Sequence, residues 1–303
     1  MISYAQNGED VVLARAFSSG YTGFYIDVGA SDPVVDSVTK HFYDEGWSGL
    51  NIEPAALIAG ELREARPRDV TLELAIGRES ATRRFYELPR EMTGCSTFSE
   101  ALADSYRREG QEINAHDVTV QTLAQVCAEH AAPLIDFLKV DVEGAEAEVL
   151  AGADFARFRP RIVVVEATRP GTAVVSHEEW EPQLLSAGYA CTLFDGLNRF
   201  YVRDEDRALA PALSVPAGVL DNHVPYRYWR WRADLEATHA DLVAARTGHE
   251  AAERRVVGLE AGLNLTRAEL ARSQAALRDA RTELEETRLA LQRTLADQRR
   301  GGG

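Results

Sequence analysis

The sequence predicts an α/β fold with a mostly parallel sheet and helices on both of its faces. Short apolar runs alternate with helix-like stretches up to about residue 205, and a hairpin signal, Asp195-Gly196-Leu197-Asn198, separates the last two runs. Strands that are separated by helices run parallel, because each connection returns the chain to the same end of the sheet. The hairpin adds one antiparallel strand, which we expect at the edge of the sheet.

Eight runs rich in apolar and β-branched residues are predicted as strands. They are 24–28, 50–53, 70–76, 117–121, 135–142, 161–167, 189–194 and 199–202. Gly29 ends the first run and Gly77 ends the third. The stretch 83–86 is expected to pair with the third strand.

Helices are predicted between these strands, at 5–17, 34–45, 55–65, 123–130, 144–150 and 177–187. In the first, Val11, Val12 and Leu13 lie near one side of a helix. Gly46 stops the second and Pro54 opens the third, which are the usual places for these residues.

Composition and charge exclude several classes of protein. The 303 residues are 45% hydrophobic, enough for a real core, and their formal charge of −15 makes a nucleic-acid partner unfavourable. The sequence contains no run of about 18 apolar residues, so no membrane span is predicted. The N-terminus lacks a signal-peptide pattern, so a cytoplasmic location is expected. The three cysteines are too far apart for a CxxC metal or redox motif.

The residues that leave the strands are the candidate site, because ligands of such sheets bind at the carboxyl ends of the strands. Asp27-Val28-Gly29-Ala30 follows the first strand, and the glycine lets a ligand approach the backbone. A helix N-terminus is expected next, with free N–H groups for an anion. A lone glycine lacks the G-x-G-x-x-G fingerprint, which argues against NAD or FAD.

Glu53 ends the second strand, 24 residues after Gly29. An acid at this place can accept both hydroxyls of a ribose, and the alternative is an exposed turn carboxylate or a helix N-cap partner before Pro54. A nucleoside ligand without a pyrophosphate cradle indicates S-adenosylmethionine.

Asp141 and Glu143 follow the apolar strand 135–142. A carboxylate there can take a proton from a hydroxyl, hold a cationic sulfonium or bind a metal. Lys139, inside that strand, either pairs with Asp27, Asp141 or Glu166 or extends outward.

Five ordered segments resemble the FkbM family of methyltransferases over roughly residues 1–203. They are Ser3-Tyr4-Ala5-Gln6-Asn7-Gly8-Glu9-Asp10, Phe24-Tyr25-Ile26-Asp27-Val28-Gly29-Ala30, Gly46-Trp47-Ser48-Gly49-Leu50-Asn51-Ile52-Glu53-Pro54, Asp136-Phe137-Leu138-Lys139-Val140-Asp141-Val142-Glu143-Gly144-Ala145-Glu146 and Phe194-Asp195-Gly196-Leu197-Asn198-Arg199-Phe200-Tyr201-Val202. The resemblance implies a class I, Rossmann-like fold with a mostly parallel seven-stranded sheet and an antiparallel closing strand. It also implies methylation of a hydroxyl on a sugar, glycan or secondary metabolite.

The resemblance also implies roles for individual residues around S-adenosylmethionine. Asp27, Gly29 and Ala30 would line its methionine end, and Glu53 would bind its ribose. Ala75 and Ile76 would flank adenine, and Asp141 would face the reacting centre.

Asp141 is the first candidate for the base that accepts the acceptor's proton, with Glu143 and His41 as alternatives. A version with Mg²⁺ held by Asp141 and Glu166 is not favoured, because no H-x-D or paired Asp-Asn motif supports it. Residues 88–116 are expected to form part of the acceptor wall. The rival hypotheses are a non-catalytic assembly module, which would act through its tail, and an NAD-dependent sugar enzyme.

The predicted domains are a methyltransferase domain at 1–205, a linker with an aromatic and arginine anchor at 206–232, a helical tail at 233–298 and a disordered end at 299–303. In the tail, Val256, Leu263, Leu270, Leu277, Leu284 and Leu291 recur every seven residues. A parallel coiled-coil dimer is expected from this repeat, and a single solvent-exposed helix is the alternative.

Overall fold

The structure is a computed structural model that describes residues 1–300, apart from the side chains of Glu91 and of residues 294–300. Its chain divides into two compact units, one from Met1 to Trp231 and one that begins at Arg232. Residues 206–231 of the predicted linker, all but its last residue, therefore fall within the first unit. Most of the predicted disordered end, 299–303, lies outside the described residues.

Twelve strands form three sheets within the first unit. In chain order they are β1 (Ile2–Ser3), β2 (Phe24–Val28), β3 (Ser48–Ile52), β4 (Val70–Leu72), β5 (Ala75–Ile76), β6 (Ala81–Glu87), β7 (Asn114–Gln121), β8 (Phe137–Val140), β9 (Ile162–Glu166), β10 (Tyr189–Phe194), β11 (Asn198–Arg203) and β12 (Val224–Pro225).

The main sheet confirms the predicted α/β fold. It has seven strands in the order β10-β11-β9-β8-β2-β3-β4, and β11 alone runs antiparallel to its two neighbours. The expectation that this antiparallel strand lies at the edge is wrong, because β11 is inserted between β9 and β10. Phe200, Tyr201 and Val202 are fully buried, so this strand needs a neighbour on both sides. The edge is left to β10, where Cys191 and Phe194 are exposed.

The predicted third strand, 70–76, is divided between two sheets. Its first part is β4, at the other edge of the main sheet. Its second part is β5, which pairs in parallel with β7 in a three-stranded sheet of order β5-β7-β6. The segment expected to pair with 70–76 is β6, which instead pairs antiparallel with β7. Ala75 and Ile76 are buried in this arrangement.

Eight α-helices connect or follow the strands. They are α1 (Glu9–Ala14), α2 (Lys40–Asp44), α3 (Ala56–Ala65), α4 (Glu100–Arg108), α5 (Leu123–His130), α6 (Glu146–Ala151), α7 (Glu181–Ser186) and α8 (Tyr226–Arg300). Short 3₁₀ helices lie at Arg90–Cys95, His177–Glu179, Asp204–Leu213 and Val219–Asp221.

The predicted helix at 34–45 is mostly a loop, and only its last part is α2. Ser31 and Asp36 adopt positive φ angles, which a helix does not tolerate. The Asp32 side chain accepts hydrogen bonds from the backbone N–H groups of Val34 and Val35, which fixes a turn instead. The helix N-terminus expected directly after Gly29 is therefore absent from this described segment.

Two buried apolar clusters cover the two faces of the main sheet. One includes Ile26, Leu138 and Val163, and the other includes Tyr25, Phe137 and the aromatic ring of Trp47. Neighbouring residues of a strand point to opposite faces, so each apolar strand supplies both clusters. The main sheet is thus buried on both sides, as parallel sheets usually are.

The linker returns to the N-terminus through a small parallel sheet. Strand β12 pairs with β1, with Val224 opposite Ile2. Arg15 also forms an ion pair with Asp221 at 2.6 Å. These contacts fix the segment that leads into α8.

The second unit is the continuation of the 75-residue helix α8. Its apolar side chains are largely exposed, for example 58% for Leu270 and 72% for Leu277. In the part of the chain that the structure describes, no helix combines the length and apolar character needed to cross a membrane.

Candidate functional site

A cavity of about 430 Å³ lies at the carboxyl ends of β2, β3 and β8. Seven of the nine candidate catalytic and cofactor-binding residues line its wall: Gly29, Ala30, Glu53, Ala75, Ile76, Asp141 and Glu143. Asp27 does not line the cavity, but its carboxylate pairs with Lys139, which does. His41 is not among the lining residues, and its ring packs against Phe42 at 5.4 Å between centroids.

Gly29 is the point at which three strand ends approach one another. It has a φ of +78°, and a Cβ added to it would lie 1.8 Å from the backbone oxygen of Asp141. The N–H groups of Gly29 and Ala30 both donate to the carbonyl of Ile52. Glycine is therefore required here by conformation and by space.

Glu53 is buried at the end of β3, with 6% of its surface exposed. Its carboxylate accepts hydrogen bonds from the N–H groups of Ser31, at 3.0 Å, and Ala55, at 2.9 Å. Burial raises the pKa of Glu53 to about 7, although these two bonds oppose the rise. Each carboxylate oxygen has two lone pairs, so the group can still accept hydrogen bonds from a ligand in the cavity.

Lys139 pairs with acids, which settles the alternatives left open by the sequence. Its Nζ donates to the carbonyl of Gly29 at 2.9 Å and lies 3.4 Å from Asp27 and 3.5 Å from Asp141. Burial by itself lowers the pKa of Lys139, but the two carboxylates outweigh it and raise the pKa. Lys139 therefore remains charged and holds the backbone of the Gly29 turn.

A group of acids surrounds the exit of β8. Burial, Asp141 and Glu146 together raise the pKa of Glu143 to about 8. Glu166, at the end of β9, has a raised pKa because of burial and the nearby Asp141. Glu143 also has a φ of +54°, an unfavourable conformation for a non-glycine residue.

Lys139 lies near one carboxylate oxygen of Asp27, and a buried network holds the other. Thr39 donates to Asp27 at 2.8 Å and accepts from Arg66 at 2.7 Å. Arg66 is 1% exposed and also donates to the carbonyl of Pro33 and the hydroxyl of Ser37. This network fixes the loop between β2 and α2, which forms one side of the cavity.

Several lining residues were not among the individual catalytic or cofactor-binding candidates named from the sequence. They are Gln6, Ser31, Phe85, Arg90, Phe98 and Arg227. The signal for Gln6 was its place in the first of the five segments. Arg90 and Phe98 fall within the expected acceptor wall at 88–116, from which Met92 to Ser96 also line the cavity. Arg227 was expected only as part of the aromatic and arginine anchor at 206–232, and nothing local in the sequence brings it to the cavity.

The cavity wall has parts of different chemistry. Ala75, Phe85 and Phe98 belong to or pack against one buried apolar cluster, and the two phenyl rings are 5.0 Å apart. Elsewhere the wall carries the acids Asp141 and Glu143. Among the described residues, no group of three or more His, Cys, Asp or Glu side chains is arranged to hold a metal ion.

The comparisons with known proteins bear on this site. Two solved structures are similar at low identity. A methyltransferase FkbM from Methylobacillus flagellatus is 15% identical, with a TM-score of 0.40, over 61% of this chain and 44% of that chain. A TehB-like SAM-dependent methyltransferase from Corynebacterium glutamicum is 8% identical, with a TM-score of 0.36, over 66% of this chain and 89% of that chain. The present chain thus covers less than half the length of the first.

Among curated proteins, none matches the chain significantly. The family model described as the methyltransferase FkbM domain matches residues 27–191, more than half of the chain. This range begins at Asp27 and includes Gly29, Glu53 and Asp141. The chain therefore belongs to the FkbM methyltransferase family.

Proposed function

We propose that the protein is an S-adenosylmethionine-dependent O-methyltransferase that acts on a hydroxyl of a sugar, glycan or secondary metabolite. The observation that carries this proposal is that Gly29, Glu53 and Asp141, from the ends of three strands, line one cavity. Its volume lies within the usual range of small-molecule sites, about 300–1,000 Å³.

The chemistry of the wall fits this cofactor. Gly29 lines the cavity, and its lack of a side chain lets the ends of β2 and β8 meet there, since a Cβ would collide with the backbone of Asp141. Glu53 faces the cavity with an acceptor carboxylate, which suits ribose hydroxyls. The apolar part with Ala75 and Ile76 suits an adenine ring, and the Asp141 carboxylate suits a positive charge. When bound, S-adenosylmethionine supplies an electrophilic methyl group on a sulfonium.

The residues of the chain have two tasks in such a reaction. The first is to hold the acceptor oxygen in line with the methyl group, and placement of this kind can supply roughly 7–11 kcal/mol of the barrier. The second is to accept the proton of the hydroxyl, which contributes about 10²–10⁴-fold. We assign the second task to the Asp141 carboxylate, which lines the cavity beside the charged Lys139.

Glu143 remains the alternative base. It lines the same wall, but its pKa of about 8 means that it is mostly protonated at neutral pH. His41 lies away from the lining residues, so Asp141 and Glu143 have stronger geometric support. The variant with a divalent metal between Asp141 and Glu166 remains a less favoured proposal, which activity in EDTA would overturn.

The proposed cofactor is tested by titration of the ligand-free protein with S-adenosylhomocysteine, measured by calorimetry. We expect saturable binding at one site per chain. Glu53→Gln should weaken this binding about tenfold, because its amide accepts hydroxyl hydrogen bonds less strongly than a carboxylate. Glu178→Gln, at an exposed position, is the matched control. No saturable binding would favour the assembly-module hypothesis instead.

The proposed base is tested by Asp141→Asn. The rate at which the acceptor is methylated should fall by about 10²–10⁴-fold. Binding of S-adenosylhomocysteine should change little, because Lys139 keeps Asp27 as a partner. Unchanged turnover would remove Asp141 from the mechanism, and Glu143→Gln would then test the alternative base.

We further propose that the tail forms a parallel homodimer. The seven-residue repeat extends through α8 from Leu235 and Leu242, past His249, to the six positions named above. The positions three residues after each are mostly Ala, Thr or Ser. In a parallel pair with equal register, residues that flank the repeat on one helix lie near flanking residues of the other helix. Three of these contacts between helices join opposite charges: Asp241 with Arg246, Arg255 with Glu260, and Glu283 with Arg288.

A further inference from the structure

Arg227 is a charged residue of the cavity wall that lies outside the family match at 27–191. It is the second residue of α8, directly after β12. Its backbone is well anchored: Val224 donates to the carbonyl of Met1 at 3.0 Å, and the ring of Tyr226 packs on Tyr4 at 5.0 Å. Pairing between β1 and β12 therefore sets the position of Arg227.

The other two cations of the wall are already neutralised. Arg90 lies between two carboxylates, with Asp32 at 2.7 Å and Glu61 at 2.6 Å. Lys139 likewise faces Asp27 and Asp141, as described above. An anionic ligand near either of these cations would meet a local excess of negative charge, so neither is suited to bind one.

Arg227 differs from them in its surroundings. Among the described residues it forms an ion pair with one carboxylate, that of Asp36, which also lines the cavity. The Arg227 side chain is 70% exposed. A guanidinium has five N–H donors in a planar fork, so it can bind a second carboxylate beside the first.

We propose that Arg227 binds a carboxylate at the open side of the cavity and is a specificity-determining residue of this site. The inference rests on the proposed function, because it needs a ligand in the cavity. The carboxylate has two sources: the amino-acid end of S-adenosylmethionine, or an acidic group on the acceptor. Both place an anion against the same guanidinium.

The first arm of the test separates the cofactor source. Dissociation constants of S-adenosylhomocysteine and 5′-methylthioadenosine, which lacks the amino-acid end, are measured on the full chain and on Arg227→Ala. If the cofactor supplies the carboxylate, the substitution weakens S-adenosylhomocysteine about tenfold and leaves methylthioadenosine unchanged. The loss should shrink at high salt, since the group is exposed.

The second arm separates the acceptor source. Binding of methyl glucuronoside and methyl glucoside, which differ in one carboxylate, is compared with S-adenosylhomocysteine already bound. If the acceptor supplies the carboxylate, wild type prefers the glucuronoside and Arg227→Ala loses that preference, with S-adenosylhomocysteine affinity unchanged. Arg227→Lys keeps the charge without the fork, so it should recover part of whichever binding is lost.

Two further variants sharpen the test. Asp36→Asn removes the competing carboxylate and should strengthen binding of the same ligand; asparagine tolerates the positive φ of this position. Arg207→Ala removes an arginine that is equally exposed, at 70%, and pairs with Asp204 away from the cavity lining, and it should change nothing. Circular dichroism checks that each variant is folded.

The outcomes are distinct for the two proposals. If wild type binds S-adenosylhomocysteine and Arg227→Ala behaves as wild type in both arms, the role of Arg227 is overturned. If wild type binds neither S-adenosylhomocysteine nor methylthioadenosine, the proposed function fails and the inference falls with it. A loss of S-adenosylhomocysteine affinity in the first arm, or of the glucuronoside preference in the second, supports the inference and identifies the source of the carboxylate.

Discussion

Gly29 connects the geometry of three strands to the chemistry of the cavity. Its positive φ and its closeness to the carbonyl of Asp141 leave no room for a side chain. Ala30 continues the same turn and belongs to the apolar cluster of β5 and β6. A change at Gly29 therefore affects both folding and the cavity wall.

Gly29→Ala is expected to lower the free energy of unfolding by about 3 kcal/mol or more, through strain and the backbone collision. It should also abolish binding of S-adenosylhomocysteine. Gly60→Ala is the matched control, because Gly60 lies in helix α3 with open space around its Cβ position. That change should be neutral or stabilising by about 0.5–1 kcal/mol. Urea unfolding measures both, and equal effects would contradict the role of Gly29.

The buried acids predict how stability depends on pH. Burial, Asp141 and Glu146 raise the pKa of Glu143 from its ordinary value near 4.5 to about 8. Between these two values the unfolded chain is ionised at Glu143 while the folded chain holds the proton. Folding then takes up a proton, so the contribution of Glu143 to stability falls as pH rises through this window.

Glu143→Gln is expected to stabilise the ligand-free protein at pH 8 and to have little effect near pH 4.5. The difference in unfolding free energy between the variant and the wild type should grow by at most about 1.4 kcal/mol per pH unit, because glutamine mimics the protonated acid. The measurement is urea unfolding at several pH values, with the exposed Glu178→Gln as control. A wild-type protein that is as stable as the variant at pH 8 would show that Glu143 ionises normally.

At the scale of elements, helix α1 is tied to the inserted antiparallel strand β11. The Asn198 amide donates to the Glu9 carboxylate at 2.6 Å, across 189 residues of sequence. Both side chains are buried, and burial raises the pKa of Glu9 to about 7. The N-terminal segment that supplies Gln6 to the cavity is therefore held by this contact.

Asn198→Ala is expected to cost about 1–3 kcal/mol of unfolding free energy, because Glu9 loses a buried donor. The cost should be larger at pH 8 than at pH 5, where Glu9 is protonated in the folded protein. Asn264→Ala, exposed on α8, should have no comparable effect. Unfolding followed at both pH values tests this, and a cost independent of pH would argue against an ionised Glu9.

At the scale of the whole molecule, the exposed leucines of α8 are the main feature that the first unit does not explain. Leu270 and Leu277 lie on the seven-residue repeat and are 58% and 72% exposed. Leu289 is 55% exposed but lies off the repeat, on another face of the helix. A second copy of the chain would cover the first two positions and leave the third in solvent.

The double variant Leu270→Asp and Leu277→Asp should convert the full chain from dimer to monomer, with its dissociation constant raised at least about 100-fold. Leu289→Asp is the matched control and should remain a dimer. Sedimentation at equal concentrations distinguishes the masses. A wild-type monomer, or equal effects of both changes, would contradict the proposed dimer.

Much of the candidate site could be predicted because it follows strand ends. An apolar run that stops at an acid or a glycine is visible in sequence, and Glu53 and Asp141 were found in this way. The roles of Arg66 and Asn198 could not be predicted in this way, since they depend on burial and on partners that are distant in sequence. The same applies to Arg227, which reaches the cavity only through the pairing of β1 with β12.

By itself the sequence determined the α/β class, the family resemblance, the acids and the glycine at the strand ends, and the repeat in the tail. These are properties of local pattern, since apolar periodicity and turn residues act over a few positions. The tertiary structure decided that β11 lies inside the sheet, that 70–76 divides between two sheets, and that Lys139 pairs with two acids. Such choices depend on which distant surfaces can be buried together. The free energy of that burial is gained only when the chain folds.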